Sequence, residues 1–157
     1  MTPRLADRHD VRDYLADAAV HLLRQRQASY PALIARDRMT SDEAARKCAL
    51  ASAVADQWRW VIDPARPPLP EWNDATGRFG AHDWDLHDEM VAAAKRARDI
   101  ARRHPAGQPG EWEARELADL YEALAWWQQL HRGDALIIHD ADLERRSNGH
   151  PHLAEAA

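Results

Sequence analysis

The sequence has little of what builds a secreted, disulfide-linked or membrane-spanning protein. Cys48 is the only cysteine among 157 residues, so no disulfide can form within one chain, which suits a reducing cytoplasm. No apolar run approaches the roughly 20 residues that cross a bilayer. The first residues, MTPRLADRHDVRD, are too charged for a secretory signal peptide. We therefore expect a cytoplasmic protein without a membrane segment.

Basic clusters and the common catalytic motifs are also missing. The net charge is −5, and acidic and basic residues are mixed along the chain. Proteins that bind nucleic acids concentrate lysine and arginine on one face or in one segment, so this distribution argues against a nucleic-acid partner. The sequence contains neither the G-x-S-x-G motif of hydrolases nor a glycine-rich phosphate loop. These absences favour a binding role without catalysis and without a cofactor.

What the sequence does contain is helical periodicity. Four long segments carry apolar side chains at every third or fourth position, which is the repeat of an α-helix. They predict an all-α protein, an antiparallel helical bundle of two helical hairpins. We expect one domain over residues 1–157, divided into a hairpin at 8–62, a proline-rich linker at 63–81, a second hairpin at 82–133 and a C-terminal segment at 134–157 that could add a short helix.

Local signals set the expected ends of these helices. Pro31 disfavours helical backbone at the residue before it, so the first helix is predicted to end at Tyr30. Thr40 and Glu43 form a capping box at the start of the second helix. The third and fourth helices are predicted to run over residues 83–104 and 111–133.

The two halves of the chain resemble each other weakly. A shift of 69 positions aligns Trp58 with Trp127, and the pair Ala45 and Arg46 with Ala114 and Arg115. A tandem duplication would explain these matches, and helical periodicity alone would also produce them. Both explanations stay open at this point, and both lead to the same bundle.

Seven tryptophans against one phenylalanine are unusual, and the simplest explanation is that large rings fill the ends of a thin helical core. Trp58 and Trp127 fit the apolar stripes of their helices, whereas Trp60 and Trp126 are turned away from those stripes. Trp72 lies in the linker and is expected to pin it to the bundle. Tryptophan is enriched at interaction hot spots. We expect Trp60, Trp126 and Trp72 to contact a protein partner or a second copy of the chain, unless the linker or the C-terminal segment covers them.

Two acidic pairs offer an alternative function. Asp85 and Asp88 are three residues apart on the third helix, and Glu116 and Asp119 are three apart on the fourth, so each pair shares a helix face. The pattern resembles that of MazG-type all-α nucleotide pyrophosphohydrolases, in which Glu-x-x-Glu and Glu-x-x-Asp pairs bind Mg²⁺. Aspartates stand here where the first family pair has glutamates. The resemblance implies a Mg²⁺-dependent enzyme with these four carboxylates as ligands.

The stretch from residue 24 to 62 suggests two further interpretations. LIARDRMTSDEAARKCAL has the length of a DNA-binding helix-turn-helix, but Met39 replaces the turn glycine, and Asp42 and Glu43 would face phosphates. The segment RQRQASYPALIARDRMTSDEAARK is similar to small uncharacterised phage and prophage helical proteins. That resemblance implies a phage-type protein without established activity. The leading prediction is therefore an adaptor, regulator or inhibitor that acts by protein binding, with the pyrophosphohydrolase and the DNA binder as alternatives.

Overall fold

Four helices account for most of the protein. A computed structural model describes residues 12–63, 65 and 67–131, and the predicted short C-terminal helix lies outside them. The described part of the chain contains no β-strand, so the predicted all-α class is confirmed. Its helices are α1 (Arg12–Ala35), α2 (Ser41–Ile62), α3 (Asp83–Arg103) and α4 (Glu111–His131).

The first helix is longer than predicted, because it continues through Pro31 to Ala35. A proline inside a helix costs about 3 kcal/mol, since it removes one backbone hydrogen bond and crowds the preceding turn. Here the side chain of Tyr30 is buried, with the Arg26 guanidinium 6.0 Å from its ring centroid. This packing offsets the local preference. The helix ends instead before Asp37, which has a φ of 53°, a left-handed conformation that aspartate tolerates better than most residues.

The start of α2 agrees with its sequence signal. Thr40 has extended backbone angles, and its hydroxyl accepts a hydrogen bond of 3.1 Å from the backbone N–H of Glu43. This bond satisfies one of the N–H groups that every helix leaves unpaired at its first turn. Asp42 and Glu43 add negative charge where the helix dipole favours it. The tight loop therefore places α2 antiparallel to α1.

The helices form a ring in which each packs on two neighbours. Contacts join α1 to α2, α2 to α3, α3 to α4 and α4 back to α1, so α1 faces α3 across the centre and α2 faces α4. The core combines small and large residues: alanines let the helices approach closely, and a few large side chains fill the space between them. The largest side chains without exposed surface include Leu15, Val54, Trp58, Leu86, Met90 and Leu124.

Buried polar side chains join both diagonals of this ring. Arg26 of α1 forms an ion pair with Glu89 of α3, and both side chains are more than nine-tenths buried. The other diagonal is bridged by Gln128 of α4, whose Nε2 donates to Oε1 of Gln57 of α2 at 3.0 Å. Because an unpaired polar group in a core is costly, each bond favours the one arrangement of helices in which its partners meet.

Two apolar residues do not follow the expected inward pattern. Tyr14 and Ile100 continue the apolar periodicity of α1 and α3, but both have about half of their surface exposed. Tyr14 lies near the start of α1, and Ile100 lies in the last turns of α3, where packing is less complete. None of the described helices is long and apolar enough to span a membrane.

Candidate functional site

The four carboxylates of the magnesium hypothesis are not brought together. Asp85 and Asp88 lie in the first turns of α3, whereas Glu116 and Asp119 lie in the first turns of α4. The two helices are antiparallel, so their first turns lie at opposite ends of the hairpin. Among the residues that the structure describes, no three His, Cys, Asp or Glu side chains lie close enough to hold a metal ion. The sequence spacing was correct within each helix but could not supply the relative position of the two pairs.

Asp119 is instead part of an ion-pair cluster with Arg98 of α3. The Arg98 Nη2 lies 2.5 Å from the Asp119 carboxylate, and Arg98 also donates through Nε and Nη2 to both oxygens of Glu122, at 2.7 and 2.8 Å. These bonds, with Glu122 contributing most, raise the pKa of Arg98 above its ordinary value, despite the opposing effect of partial burial. Asp88 lies ten positions before Arg98, about 15 Å along the helix axis. This distance explains why the two acidic pairs do not converge.

The helix-turn-helix interpretation gains no support from the first hairpin. The chain between α1 and α2 spans only residues 36–40, and the two helices pack against each other in extensive contact. Asp42 and Glu43 are exposed in the first turn of α2, where a recognition helix would meet phosphates. These two acids argue against α2 as a recognition helix.

The interaction hypothesis required the ring of Trp60 to lie at the surface, but the ring is buried. It retains only 8% exposure, because the linker folds over it. The indole N–H donates to the carbonyl oxygens of Pro67 and Pro68, each at 3.1 Å, and the ring of Phe79 lies 6.2 Å away. The linker thus supplies the intramolecular cover that the sequence left as an alternative. Trp60 joins the linker to the end of α2.

Trp126 also makes contacts within the bundle. It is half-buried and packs against the hydrophobic core. Its ring meets the neighbouring Trp127 edge to face, with centroids 5.2 Å apart and planes at 83°. Such a contact is a favourable geometry for two aromatic rings. Trp126 therefore exposes only part of its side chain to a partner.

Other tryptophans carry the exposed aromatic surface. Trp72 is 48% exposed and Trp84 is 56% exposed, and both lie at the end of the bundle where α3 begins. Trp112 is 67% exposed but lies at the start of α4, at the opposite end. Sequence reasoning named Trp72 and missed Trp84. A helical wheel of α3 would have predicted that Trp84 is exposed, because this residue falls opposite the apolar stripe that begins with Leu86.

The folded linker fixes the position of Trp72. Its indole N–H donates to the Asp74 carboxylate at 2.9 Å, and its ring centroid lies 5.7 Å from that of His82, the residue that precedes α3. A turn follows directly, closed by paired backbone bonds between Asn73 and Gly77. Gly77 has a φ of +65°, and a Cβ there would lie 2.5 Å from a backbone oxygen, so glycine is required. The turn holds Trp72 against the start of α3.

Exposed acidic residues lie close in sequence to these two rings. We use the name aromatic–acidic surface for Trp72 and Trp84 together with the exposed carboxylates of Glu71, Asp74, Asp85 and Asp88. Basic side chains also contact it: the guanidinium of Arg78 lies 6.0 Å from the ring centroid of Trp72, and His87 lies 5.9 Å from the ring of Trp84 and 3.1 Å from the Asp88 carboxylate. The surface therefore combines π faces with negative charge, and one ring already receives a guanidinium.

Comparisons with known proteins identify no relative for this fold or site. No family model, no curated protein and no solved structure matches the chain. The inference of function therefore depends on the geometry of the described residues alone.

Proposed function

We propose that this chain is a cytoplasmic binding protein whose aromatic–acidic surface captures a basic segment of a partner protein. The observation that carries this proposal is the exposure of Trp72 and Trp84 at one end of the bundle, next to four carboxylates. Exposed tryptophan is uncommon on a surface with no partner, and tryptophan is enriched among the residues that dominate binding energy. The resemblance to phage proteins stays a prediction about origin.

The chemistry of the surface selects the type of partner. Arginine and lysine side chains stack on tryptophan faces, and each such contact contributes about 0.5–2 kcal/mol, depending on how far it is desolvated. Carboxylates beside the rings attract the same cations and speed their encounter. Arg78 shows the arrangement within the chain, because its guanidinium already lies over Trp72. A partner segment that alternates basic and apolar residues would satisfy both the carboxylates and the rings.

Two features favour binding over the magnesium-dependent alternative. The acidic residues that would serve as ligands lie at opposite ends of the α3–α4 hairpin, and Asp119 is already paired with Arg98. By contrast, the carboxylates of the aromatic–acidic surface are exposed, and the rings beside them favour organic cations such as guanidinium and ammonium groups. A binding role without a resident cofactor is the function that this geometry supports best.

A labelled peptide of alternating arginine and leucine is expected to bind the protein, as measured by fluorescence anisotropy. Trp84→Ala should weaken binding by about tenfold or more, because each well-packed aromatic contact contributes about 1.4 kcal/mol or more. Trp72→Ala should have a similar effect. Added salt should weaken binding, since the carboxylates are exposed and their charges are screened.

Trp112→Ala is the matched control, because it removes an equally exposed tryptophan from the other end of the bundle. It should leave the affinity unchanged. A second control peptide, in which glutamate replaces arginine, should not bind. The proposal fails if the three alanine variants weaken binding equally, or if the glutamate peptide binds as tightly as the arginine peptide.

A further inference from the structure

A cavity lies at the end of the bundle opposite the aromatic–acidic surface. Its volume is about 400 Å³, and it is bounded mainly by α1, α3 and α4, with Lys47 of α2 and the loop that joins α1 to α2 at its edge. Most of its wall is apolar, formed by the side chains of Leu22, Leu33, Met39, Ala97, Ile100 and Leu117. Because half of the Ile100 surface is exposed, the cavity is open to solvent beside this residue. Its size falls within the range of small-molecule sites.

Three buried polar groups in the cavity wall have no hydrogen-bond partner among the described residues. They are the Nε–H of Arg26 and the hydroxyls of Tyr30 and Tyr121, and each of these residues is more than nine-tenths buried. Buried donors are nearly always paired in native proteins, because leaving one unpaired costs much of its lost hydration. Three unpaired groups in the wall of one cavity indicate a place where an acceptor binds.

The other hydrogen bonds of Arg26 determine which of its donors is free. Its Nη1 donates to the Lys47 carbonyl at 2.6 Å, and its Nη2 is held by Glu89. These two bonds fix the orientation of the guanidinium and leave its Nε–H without a hydrogen-bond partner among the described residues. Burial raises the pKa of Tyr121 and of Tyr30 above the ordinary value of 10, so both phenols keep their protons and can donate.

The charge around the cavity has one sign. Arg26, Lys47 and Arg96 contribute cationic side chains to its lining, and none of the described lining residues is acidic. Glu89 neutralises Arg26 from the far side. Lys47 and Arg96 therefore leave a positive field at an apolar cavity in a protein whose net charge is negative.

We infer that this cavity binds a small amphipathic carboxylate, with its apolar body against the leucines and its carboxylate beside Tyr30, Tyr121 and Arg26, whose buried unpaired donors turn toward it on binding. Arg96, which is exposed at the cavity, adds a favourable charge. A volume of about 400 Å³ lies toward the lower end of the range for small-molecule sites, which suits a medium-chain fatty acid or an aromatic acid of similar size. This site is separate from the aromatic–acidic surface, so either proposal can fail alone.

Titration calorimetry with decanoate, and with decylamine as its counterpart of opposite charge, tests this inference. Decanoate is expected to bind at one site per chain and to raise the melting temperature, because it binds only the folded state. Decylamine should bind far more weakly, since Lys47 and Arg96 repel its positive charge and no described lining residue is acidic. Absence of decanoate binding, or equal binding of decylamine, overturns the inference.

Two variants locate the binding within the cavity. Tyr121→Phe keeps the ring and removes one donor, and it should weaken decanoate binding about tenfold. It should not lower the melting temperature, because the hydroxyl has no bond to lose. Arg96→Gln should weaken binding about threefold through its lost charge.

Arg102→Gln is the matched control for charge, because Arg102 is an exposed arginine on the same helix and does not line the cavity. It should leave the decanoate affinity unchanged, as should Trp84→Ala. Unchanged affinity in both Tyr121→Phe and Arg96→Gln would show that decanoate binds elsewhere and would contradict the assignment.

Discussion

Glu89→Ala is expected to lower the free energy of unfolding by about 3–5 kcal/mol, one of the two largest effects predicted for this protein. Glu89 is 7% exposed and is the ion-pair partner of Arg26, which is 2% exposed. Removing the carboxylate leaves a guanidinium charge in the core without its counter-ion. Urea denaturation of the variant and the unmodified protein measures the difference.

The double variant Arg26→Met with Glu89→Leu separates the cost of an unpaired charge from the value of the pair. Replacing both charges with apolar side chains of similar size is often neutral or stabilising, because neither ion must then lose its hydration. The double variant should therefore recover most of the stability that Glu89→Ala loses. A loss below about 1 kcal/mol in Glu89→Ala would contradict the buried pairing of α1 with α3.

Trp60→Ala should destabilise the protein by about 3–5 kcal/mol, since it empties the space between α2 and the linker. It also leaves the Pro67 and Pro68 carbonyls without the indole donor that they share. The linker should then become more sensitive to proteases, because one of its contacts with the bundle is lost. Urea denaturation and limited proteolysis give the two readouts.

Trp84→Ala is the control for this experiment, because it removes the same side chain from an exposed position near the same end of the bundle. Its effect on the free energy of unfolding should stay within about 0.5 kcal/mol. Equal destabilisation by the two substitutions would mean that the linker does not cover Trp60 as described.

The sequence predicted the helices well, because apolar periodicity and local capping are properties of short segments. The stripe on α2, the stripe on α3 apart from Ile100, and the cap at Thr40 appear as expected. Pro31 was misjudged, since its local preference is weaker than the packing of Tyr30 against the bundle. Local rules fix a helix end only when tertiary contacts do not oppose them.

The buried polar residues show where sequence reasoning stops. Arg26, Glu89, Gln57 and Gln128 each fall on the apolar stripe of their own helix, so a helical wheel would have marked them as unusual. Which of them pair depends on which helices face each other across the ring. That arrangement follows from the packing of the whole bundle and is not contained in any one segment.

The candidate sites depended on tertiary structure still more. The carboxylates at positions 85, 88, 116 and 119 share faces within their helices but lie at opposite ends of an antiparallel hairpin. The exposure of Trp72 and the burial of Trp60 both follow from the path of the linker, which has no helical period to predict it. The cavity is lined by residues from every helix, so no single segment of the sequence predicts it.

The indole N–H signals of the seven tryptophans, followed by nuclear magnetic resonance in isotope-labelled protein, test the binding surface most directly. Titration with the arginine–leucine peptide should shift the signals of Trp72 and Trp84 and leave those of Trp58, Trp60 and Trp112 in place. Shifts confined to Trp112, or equal shifts in all seven signals, would contradict an aromatic–acidic surface that recognises basic segments.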